Sequence, residues 1–149
     1  MTATLFDLTF LLIAPFWLLM IFAPKWSWTR KIAESYLIVL PPVVIYVVLM
    51  IPVLPELLPL VTRPELGALA EFMSTPTGAA LVWAHMIAWD LFVGRWMYLE
   101  GRRLDVNPLI MAPVLVITIL LAPVGLPLFL IVRKVCDTTN RGTAVVTHQ

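Results

Sequence analysis

Four long apolar segments constrain this sequence more than any other feature. They cover residues 5–24, 32–54, 76–99 and 108–133, and each reaches the roughly 20 residues that a helix needs to cross a bilayer. Hydrophobic residues make up 61% of the chain and charged residues 13%, against about 25% charged in soluble domains. The sequence therefore predicts an all-α integral membrane protein with four transmembrane helices. A net charge of +1 gives no case for nucleic-acid binding.

The domain organisation follows from the same pattern. We expect one transmembrane domain over residues 1–135 and a polar C-terminal tail over residues 136–149. No basic residue precedes the first apolar run, so we interpret that run as a retained span and not as a cleaved signal peptide. The single cysteine, Cys136, excludes a disulfide within the chain.

Prolines are expected to shape the second span and the connection after it. Pro41 and Pro42 fall within this span, where each removes a backbone donor, so we expect a kink there. Pro52 and Pro55 are expected to end the span. In the connection that follows, the sequence predicts a short interfacial helix from Pro64 to about Phe72, because a proline is typical of the first helical position.

Two further helix starts carry clear local signals. Thr75 before Pro76, and Asn107 before Pro108, each place a capping side chain ahead of a proline at the first helical position. The third and fourth spans are therefore expected to begin at these prolines. Prolines and a glycine within residues 122–127 should bend the fourth span strongly.

The cations of the short loops nearly balance across the membrane. Four spans would place both termini on one side, with five lysines and arginines on one face and four on the other. The first set is Lys25, Arg30, Lys31, Arg102 and Arg103, and the second is Arg63, Arg133, Lys134 and Arg141. Because cytoplasmic loops are enriched in these residues, the count leans to the first set being cytoplasmic.

The predicted third span carries four ionisable residues, His85, Asp90, Arg95 and Glu100. A charged group at the centre of a bilayer costs roughly 2.5–3.5 kcal/mol on insertion scales. Residues five apart on a helix, such as His85 and Asp90, differ by about 140° and about 7.5 Å along the axis. Asp90 and Arg95 stand in the same relation, so neither pair meets on a regular helix. Partners must come from other spans, from water or through a π-bulge.

Asp90 lies nearest the middle of this span and is the strongest candidate for a functional group. Glu34 and Asp7 are the acids expected to partner Arg95 or His85, and Arg95 also lies near enough to the span's end to reach water. Structural readings stay open, because Asp–Arg pairs hold membrane helices together and a histidine can be a hydrogen-bonded packing residue. A metal site is disfavoured, because one embedded histidine without HxxxH or CxxC spacing is a poor ligand set.

One segment resembles a known family. The run Asp90–Trp96, which reads DLFVGRW, preceded by His85, resembles the neoxanthin-synthase-like family of the plant abscisic-acid-deficiency type. These are small four-span membrane proteins of plant plastids, with related sequences in cyanobacteria and other bacteria. The run Pro123–Leu126 before a basic end also fits, and the resemblance covers residues 5–134. Pro127 departs from the leucine-rich run expected there.

The resemblance implies a carotenoid-related function in a bacterial inner or photosynthetic membrane, or in a plastid membrane. In plants the family is tied to the isomerisation of violaxanthin, an epoxy-carotenoid, to the allenic neoxanthin, which requires no cofactor. It implies Asp90 and His85 as acid and base, with Arg95 orienting a hydroxyl or carboxylate. The predicted ligand-binding residues are Trp83, Trp89, Phe92, Trp96 and Glu34.

Two other functions remain as alternatives. The first is a non-catalytic subunit that binds a pigment or lipid and packs in a photosynthetic complex, another membrane complex or a homo-oligomer. The second is a small transporter that relays protons through Asp90 and His85, for which four spans are few. A bound pigment that stays chemically unchanged would favour the subunit over the isomerase.

Overall fold

The computed structural model describes the backbone of residues 1–146 and the side chains of residues 1–137. Within that part of the chain all regular secondary structure is helical, which confirms the predicted all-α class. The α-helices are α1 Thr2–Phe22, α2 Ser27–Glu34, α3 Leu40–Thr62, α4 Leu66–Ser74, α5 Pro76–Arg103, α6 Pro108–Leu120 and α7 Ala122–Val146. A 3₁₀ helix, Tyr36–Val39, leads into α3. The predicted tail is therefore helical as far as Val146, and its last three residues lie outside the described part.

Three helical segments are long and apolar enough to cross a membrane, namely Thr2–Phe22, Tyr36–Thr62 and Pro76–Arg103. Many of their leucine, valine and phenylalanine side chains are exposed, as contact with lipid tails requires. The apolar helix α6 has 13 residues, fewer than the roughly 20 that a crossing needs. The structure thus shows three candidate spans in its described part, where the sequence predicted four.

The second span differs from its predicted bounds of 32–54. Ser35 is extended (φ −75°, ψ 130°), so the helix that carries Glu34 ends before the span begins. Pro41 and Pro42 lie in the first turn of α3, where the missing N–H has no partner to lose. The prediction that Pro52 ends the span was wrong, because α3 continues to Thr62. In apolar surroundings a helix remains the conformation that satisfies most backbone groups.

The two predicted helix starts are confirmed. The amide of Gly78 donates to Thr75 Oγ1 at 3.0 Å, and the amide of Leu109 donates to Asn107 Oδ1 at 2.9 Å. A short helix, α4, is present where the sequence predicted an interfacial one, and it begins at Leu66, two residues after Pro64.

The predicted fourth span, 108–133, is not one helix. It breaks at Leu121, whose backbone is non-helical (φ −148°, ψ 71°). Pro123 has no N–H with which to continue the hydrogen bonds of α6. The amides of Val124 and Gly125 donate to the carbonyl of Leu121 instead. The predicted bend is therefore a complete break between two helices.

The chain divides into two compact units. The first comprises Met1–Pro15 and Tyr36–Trp89. Its apolar core draws on α3, α4 and the first half of α5. The core side chains are Ile45, Leu49, Phe72, Ala80, Leu81 and Ala84.

The second unit comprises Phe16–Ser35 and the chain from Asp90 onward. Buried side chains of this unit come from α1, α5, α6 and α7. They include Trp17, Leu91, Met97, Leu115 and Phe129. This unit therefore contains the end of α1, all of α2, the second half of α5 and the two helices on either side of the break.

Contacts within the second unit fix the direction of α6 relative to α5. Met111, near the start of α6, packs against Gly101 near the end of α5. Farther along α6, Thr118 Oγ1 donates to Met97 Sδ at 3.7 Å. The residue number rises along α6 while it falls along α5, so the two helices are antiparallel.

Helix α7 runs the other way. The rings of Trp96 and Phe129 meet edge to face with centroids 5.3 Å apart. Four residues later on both helices, Glu100 Oε1 forms an ion pair with Arg133 Nε at 3.0 Å. Because both numbers rise together, α7 is parallel to α5. Helices α6 and α7 therefore form an antiparallel hairpin whose tip is Leu121.

Candidate functional site

The predicted functional groups lie on α5, which is α-helical from Pro76 to Arg103 without a π-bulge. Regular helical geometry therefore holds between His85 and Asp90, which keeps their side chains about 140° apart around the axis. The structure does not supply the local distortion that would let these two residues pair on one helix. Each has to be considered with its own neighbours.

His85 belongs to a group of aromatic side chains in the first unit. Its ring lies 5.5 Å from the ring of Tyr46 and 6.4 Å from that of Trp89, measured between centroids. Trp83 packs in the same unit against Phe6 at 5.6 Å. His85 is exposed and packs beside these aromatic rings. Among the described residues it forms no ion pair with Asp7 or Glu34, the acids that were expected to pair with it.

Asp90 is half-buried. No hydrogen bond or ion pair joins its carboxylate to another residue in the part of the chain that the structure describes. An ionised carboxylate without a cation or several donors is costly in an apolar environment. Asp90 thus remains the ionisable group of α5 whose role packing does not explain.

Arg95 is buried, with 6% of its surface exposed, which corrects the expectation that it reaches water. Its Nη2 donates to the backbone carbonyl of Glu34 at 3.0 Å. Glu34 is the last residue of α2, so the guanidinium sits at the negative end of that helix dipole. The carboxylate of Glu34 pairs instead with Arg30 at 2.8 Å. The expected Arg95–Glu34 partnership exists, but through the main chain.

The acid Asp7, the other expected partner, is exposed on α1. Glu100, the last of the four ionisable residues of the predicted third span, has a side chain that is 13% exposed. Its carboxylate accepts from Arg103 Nε at 2.7 Å and from Arg133 Nε at 3.0 Å. Glu100 therefore holds the middle of α7 to the end of α5.

Gly94 and Trp17 form a contact that sequence reasoning missed. A Cβ at Gly94 would overlap the indole of Trp17, whose side chain is 4% exposed. Glycine is unfavourable inside a helix, and that cost was the sequence signal for a close approach at this position. Together with Leu91, which is fully buried, these residues make the DLFVGRW segment the packing centre of the second unit.

The aromatic residues predicted to bind ligand all keep exposed surface. Trp83 and Trp96 are 37% exposed, Phe92 is 40% exposed and Trp89 is 57% exposed. The rings of Trp96 and Phe129 meet edge to face. These surfaces are available to an apolar molecule dissolved in the bilayer. Among the described residues, no group of three or more histidine, cysteine, aspartate and glutamate side chains is placed to hold a metal ion.

Comparison with known sequences identifies the family. A sequence model of the ABA DEFICIENT 4-like family matches residues 4–129. The chain belongs to this family. The Arabidopsis thaliana protein ABA DEFICIENT 4, chloroplastic, is 35% identical over 95 residues, which cover 60% of this chain and 43% of that relative. This ABA DEFICIENT 4-like chain thus aligns with less than half of the relative's length. No solved structure matches it.

The contact between Arg95 and Glu34 gives a stability prediction for this ABA DEFICIENT 4-like chain. Arg95→Met keeps most of the side-chain volume and removes the charged donor, so it should lower the free energy of unfolding by about 2 kcal/mol. Thermal unfolding of the purified protein in detergent measures this loss. Arg63→Met is the matched control, because Arg63 is exposed and its replacement should change stability by less than about 0.5 kcal/mol. Equal shifts for the two variants would show that the Arg95 hydrogen bond contributes little.

Proposed function

We propose that this protein isomerises an epoxy-carotenoid within the membrane, and that Asp90 is its principal acid–base residue. Membership of the ABA DEFICIENT 4-like family supports a carotenoid-related function. The observation that carries the catalytic assignment is Asp90 itself. It is a half-buried carboxylate in the middle of a candidate span and has no hydrogen-bonding partner among the described residues. Ionisable groups at such positions are rare in membrane helices and usually functional.

The reaction proposed is an isomerisation without net redox change. A base takes a proton from the polyene carbon beside the epoxide-bearing ring, and the electrons of that C–H bond form the new double bond of the allene. The epoxide C–O bond breaks as an acid delivers a proton to the oxygen, which becomes a hydroxyl. One proton leaves carbon and one reaches oxygen, so substrate and product have the same mass and no cofactor is needed.

The two proton transfers are assigned to the groups that the sequence predicted. Asp90 is proposed as the base, and His85 as the donor to the epoxide oxygen. The two reacting atoms are neighbours in the substrate, whereas the two side chains point about 140° apart on one continuous helix. Asp90 is therefore assigned the direct contact with the substrate, and a group between them has to relay the proton from His85. Arg95 is not given a substrate-binding role, because its Nη2 donates to the carbonyl of Glu34 and its side chain is buried. It is a positioning residue that holds the end of α2 against α5.

The exposed aromatic residues of α5 support binding of a long apolar polyene. Trp89 is 57% exposed and Phe92 is 40% exposed, and aromatic rings stack favourably against conjugated systems. A substrate dissolved in lipid reaches such faces without crossing water. The bilayer therefore acts as the reservoir of substrate in this proposal.

A non-catalytic pigment-binding subunit is the second candidate function. The observation that favours it is the packing role of the DLFVGRW segment, where Gly94 contacts Trp17 and Arg95 contacts α2. Such contacts explain the segment without any chemistry. Under this alternative the carotenoid binds the same aromatic faces and is released unchanged, in a homo-oligomer or a larger membrane complex.

Washed membranes from cells that express the full chain, supplied with violaxanthin and no added cofactor, test the proposal. We expect the epoxide to disappear and a product of equal mass with an allenic absorption spectrum to form. Membranes without the protein are the control for spontaneous opening of the epoxide. If all the violaxanthin is recovered unchanged, and some of it is bound to the protein purified from these membranes, the result would contradict the isomerase and favour the pigment-binding subunit.

A further inference from the structure

The α6–α7 hairpin raises the question of how the C-terminal third of the chain meets the membrane. Its 13-residue first arm is about 20 Å long, whereas the hydrocarbon core of a bilayer is about 30 Å thick. The second arm is apolar from Ala122 only as far as Val132, because Arg133 and Lys134 follow. Neither arm is long enough to cross alone.

The two arms do not combine into one crossing either. A single bent span would place Arg133 far from the end of α5 where α6 begins. Instead, Arg133 Nε lies 3.0 Å from Glu100 Oε1, on the last turns of α5. Asn107, which caps α6, follows α5 by a few residues. Both ends of the hairpin are therefore at the same end of α5.

The tip of the hairpin lies well along α5 from that end. Thr118, three residues before the break at Leu121, contacts Met97, and Gly125 packs against the backbone of Thr118 with no room for a Cβ. At the break, Leu121 accepts hydrogen bonds from Val124 and Gly125. Backbone groups at membrane depth have to be satisfied within the protein, and the break meets that requirement.

We propose that α6 and α7 form a re-entrant hairpin that enters and leaves the membrane on one face, so that the chain crosses three times and not four. The proposal changes the charge balance across the membrane. Lysines and arginines near the end of α1, in α2, at the end of α5 and after the hairpin now share one face. These residues, which we call the basic rim, are Lys25, Arg30, Lys31, Arg102, Arg103, Arg133 and Lys134.

Contacts within the second unit agree with a common rim. The hydroxyl of Tyr98 on α5 donates to the carbonyl of Pro24, beside Lys25, at 2.8 Å. A cleft of about 410 Å³ is lined by residues of both the 22–26 and 107–109 segments. The loop after α1 and the loop before α6 therefore adjoin at the end of α5.

The opposite face keeps a single cation, Arg63, in the connection between the second and third spans. With Arg141 of the C-terminal segment added to the seven residues of the basic rim, eight cations against one decide an orientation that five against four did not. Cytoplasmic loops are enriched in lysine and arginine, and the cytoplasmic leaflet carries anionic headgroups that attract basic segments. The basic rim is therefore the surface that lies against the cytoplasmic leaflet, with the C-terminus cytoplasmic and the N-terminus on the other side.

Cysteine labelling in a bacterial inner membrane tests this topology on the full chain. The native Cys136, three residues after Arg133, reports on the face where α7 emerges. Two near-isosteric markers in a Cys136→Ser background report on the two faces. Ser27→Cys marks the rim, and Ser74→Cys marks the connection that contains Arg63; both serines are exposed. Because Cys136 is half-buried, Lys134→Cys in the same background provides a second, exposed reporter.

With a membrane-impermeant maleimide, we expect Cys136, Lys134→Cys and Ser27→Cys to be labelled in inverted vesicles. In intact spheroplasts the same cysteines should remain unlabelled. Ser74→Cys should show the reverse pattern. If Cys136 and Lys134→Cys follow Ser74→Cys, the chain crosses four times and the re-entrant hairpin is wrong. If all rim positions are labelled in spheroplasts, the assignment of the rim to the cytoplasmic leaflet is overturned.

Discussion

Asp90→Asn is expected to lower the rate of violaxanthin conversion at least about a hundredfold, the usual contribution of a general acid–base residue. Asparagine has nearly the shape of aspartate and cannot take up the proton. Because the Asp90 carboxylate makes no hydrogen bond or ion pair within the described residues, the replacement breaks no contact. The variant should therefore unfold at the same temperature as the wild type, within about 0.5 kcal/mol of stability.

Asp105→Asn is the matched control for this variant. Asp105 is exposed in the loop between α5 and α6 and has a positive φ of 53°, a conformation that asparagine also adopts readily. Its conversion rate should equal that of the wild type. Equal rates for Asp90→Asn and Asp105→Asn would remove Asp90 from the mechanism. Loss of bound pigment in Asp90→Asn, in a protein that converts none, would place the carboxylate in a binding role.

Local signals in the sequence predicted the helix starts correctly. Thr75 and Asn107 cap helices that begin at the expected prolines, because a cap depends on a side chain and an amide two or three residues away. The apolar segments gave the three candidate spans for a similar reason. Bilayer thickness sets the helix length, and that requirement is visible in one stretch of sequence.

The contacts that shape the second unit depended on groups far apart in the chain. Arg95 finds the carbonyl of Glu34, 61 residues away, and a backbone carbonyl carries no residue-type signature. The break at Leu121 was expected as a bend, because prolines predict that a helix stops but not which way the chain then turns. The direction became visible only through the pairs Trp96–Phe129 and Glu100–Arg133.

The same dependence on distant contacts explains why Asp90 remains the strongest candidate for a functional residue on α5. Of the four ionisable residues on α5, Arg95 and Glu100 proved to have structural partners. His85 contacts the rings of Tyr46 and Trp89 and keeps the second proton transfer in the proposal. The removal of Arg95 and Glu100 from the list of unexplained charges strengthens the case for Asp90 more than any feature of its own sequence context.

Gly94→Ala is expected to lower the free energy of unfolding by about 3 kcal/mol, at the upper end for overpacking a core. The added methyl would overlap the indole of Trp17, which is buried and rigid. For a chain of this size, that loss lowers the melting temperature by roughly 6–12 °C. Gly67→Ala is the control, because nothing lies within 4 Å of the Cβ position there. That helical substitution should be neutral or stabilise by up to about 1 kcal/mol.

A double-mutant cycle with Trp17→Leu separates overpacking from a general effect of alanine at Gly94. Trp17→Leu alone should destabilise the protein, because it leaves a cavity beside α5. In that background the indole no longer occupies the space, so Gly94→Ala should have no net cost. The coupling between the two positions is therefore expected to reach about 3 kcal/mol, the upper range for residues in contact. Additive effects would show that Gly94 is not there to admit Trp17, and the packing role assigned to the DLFVGRW segment would lose its main support.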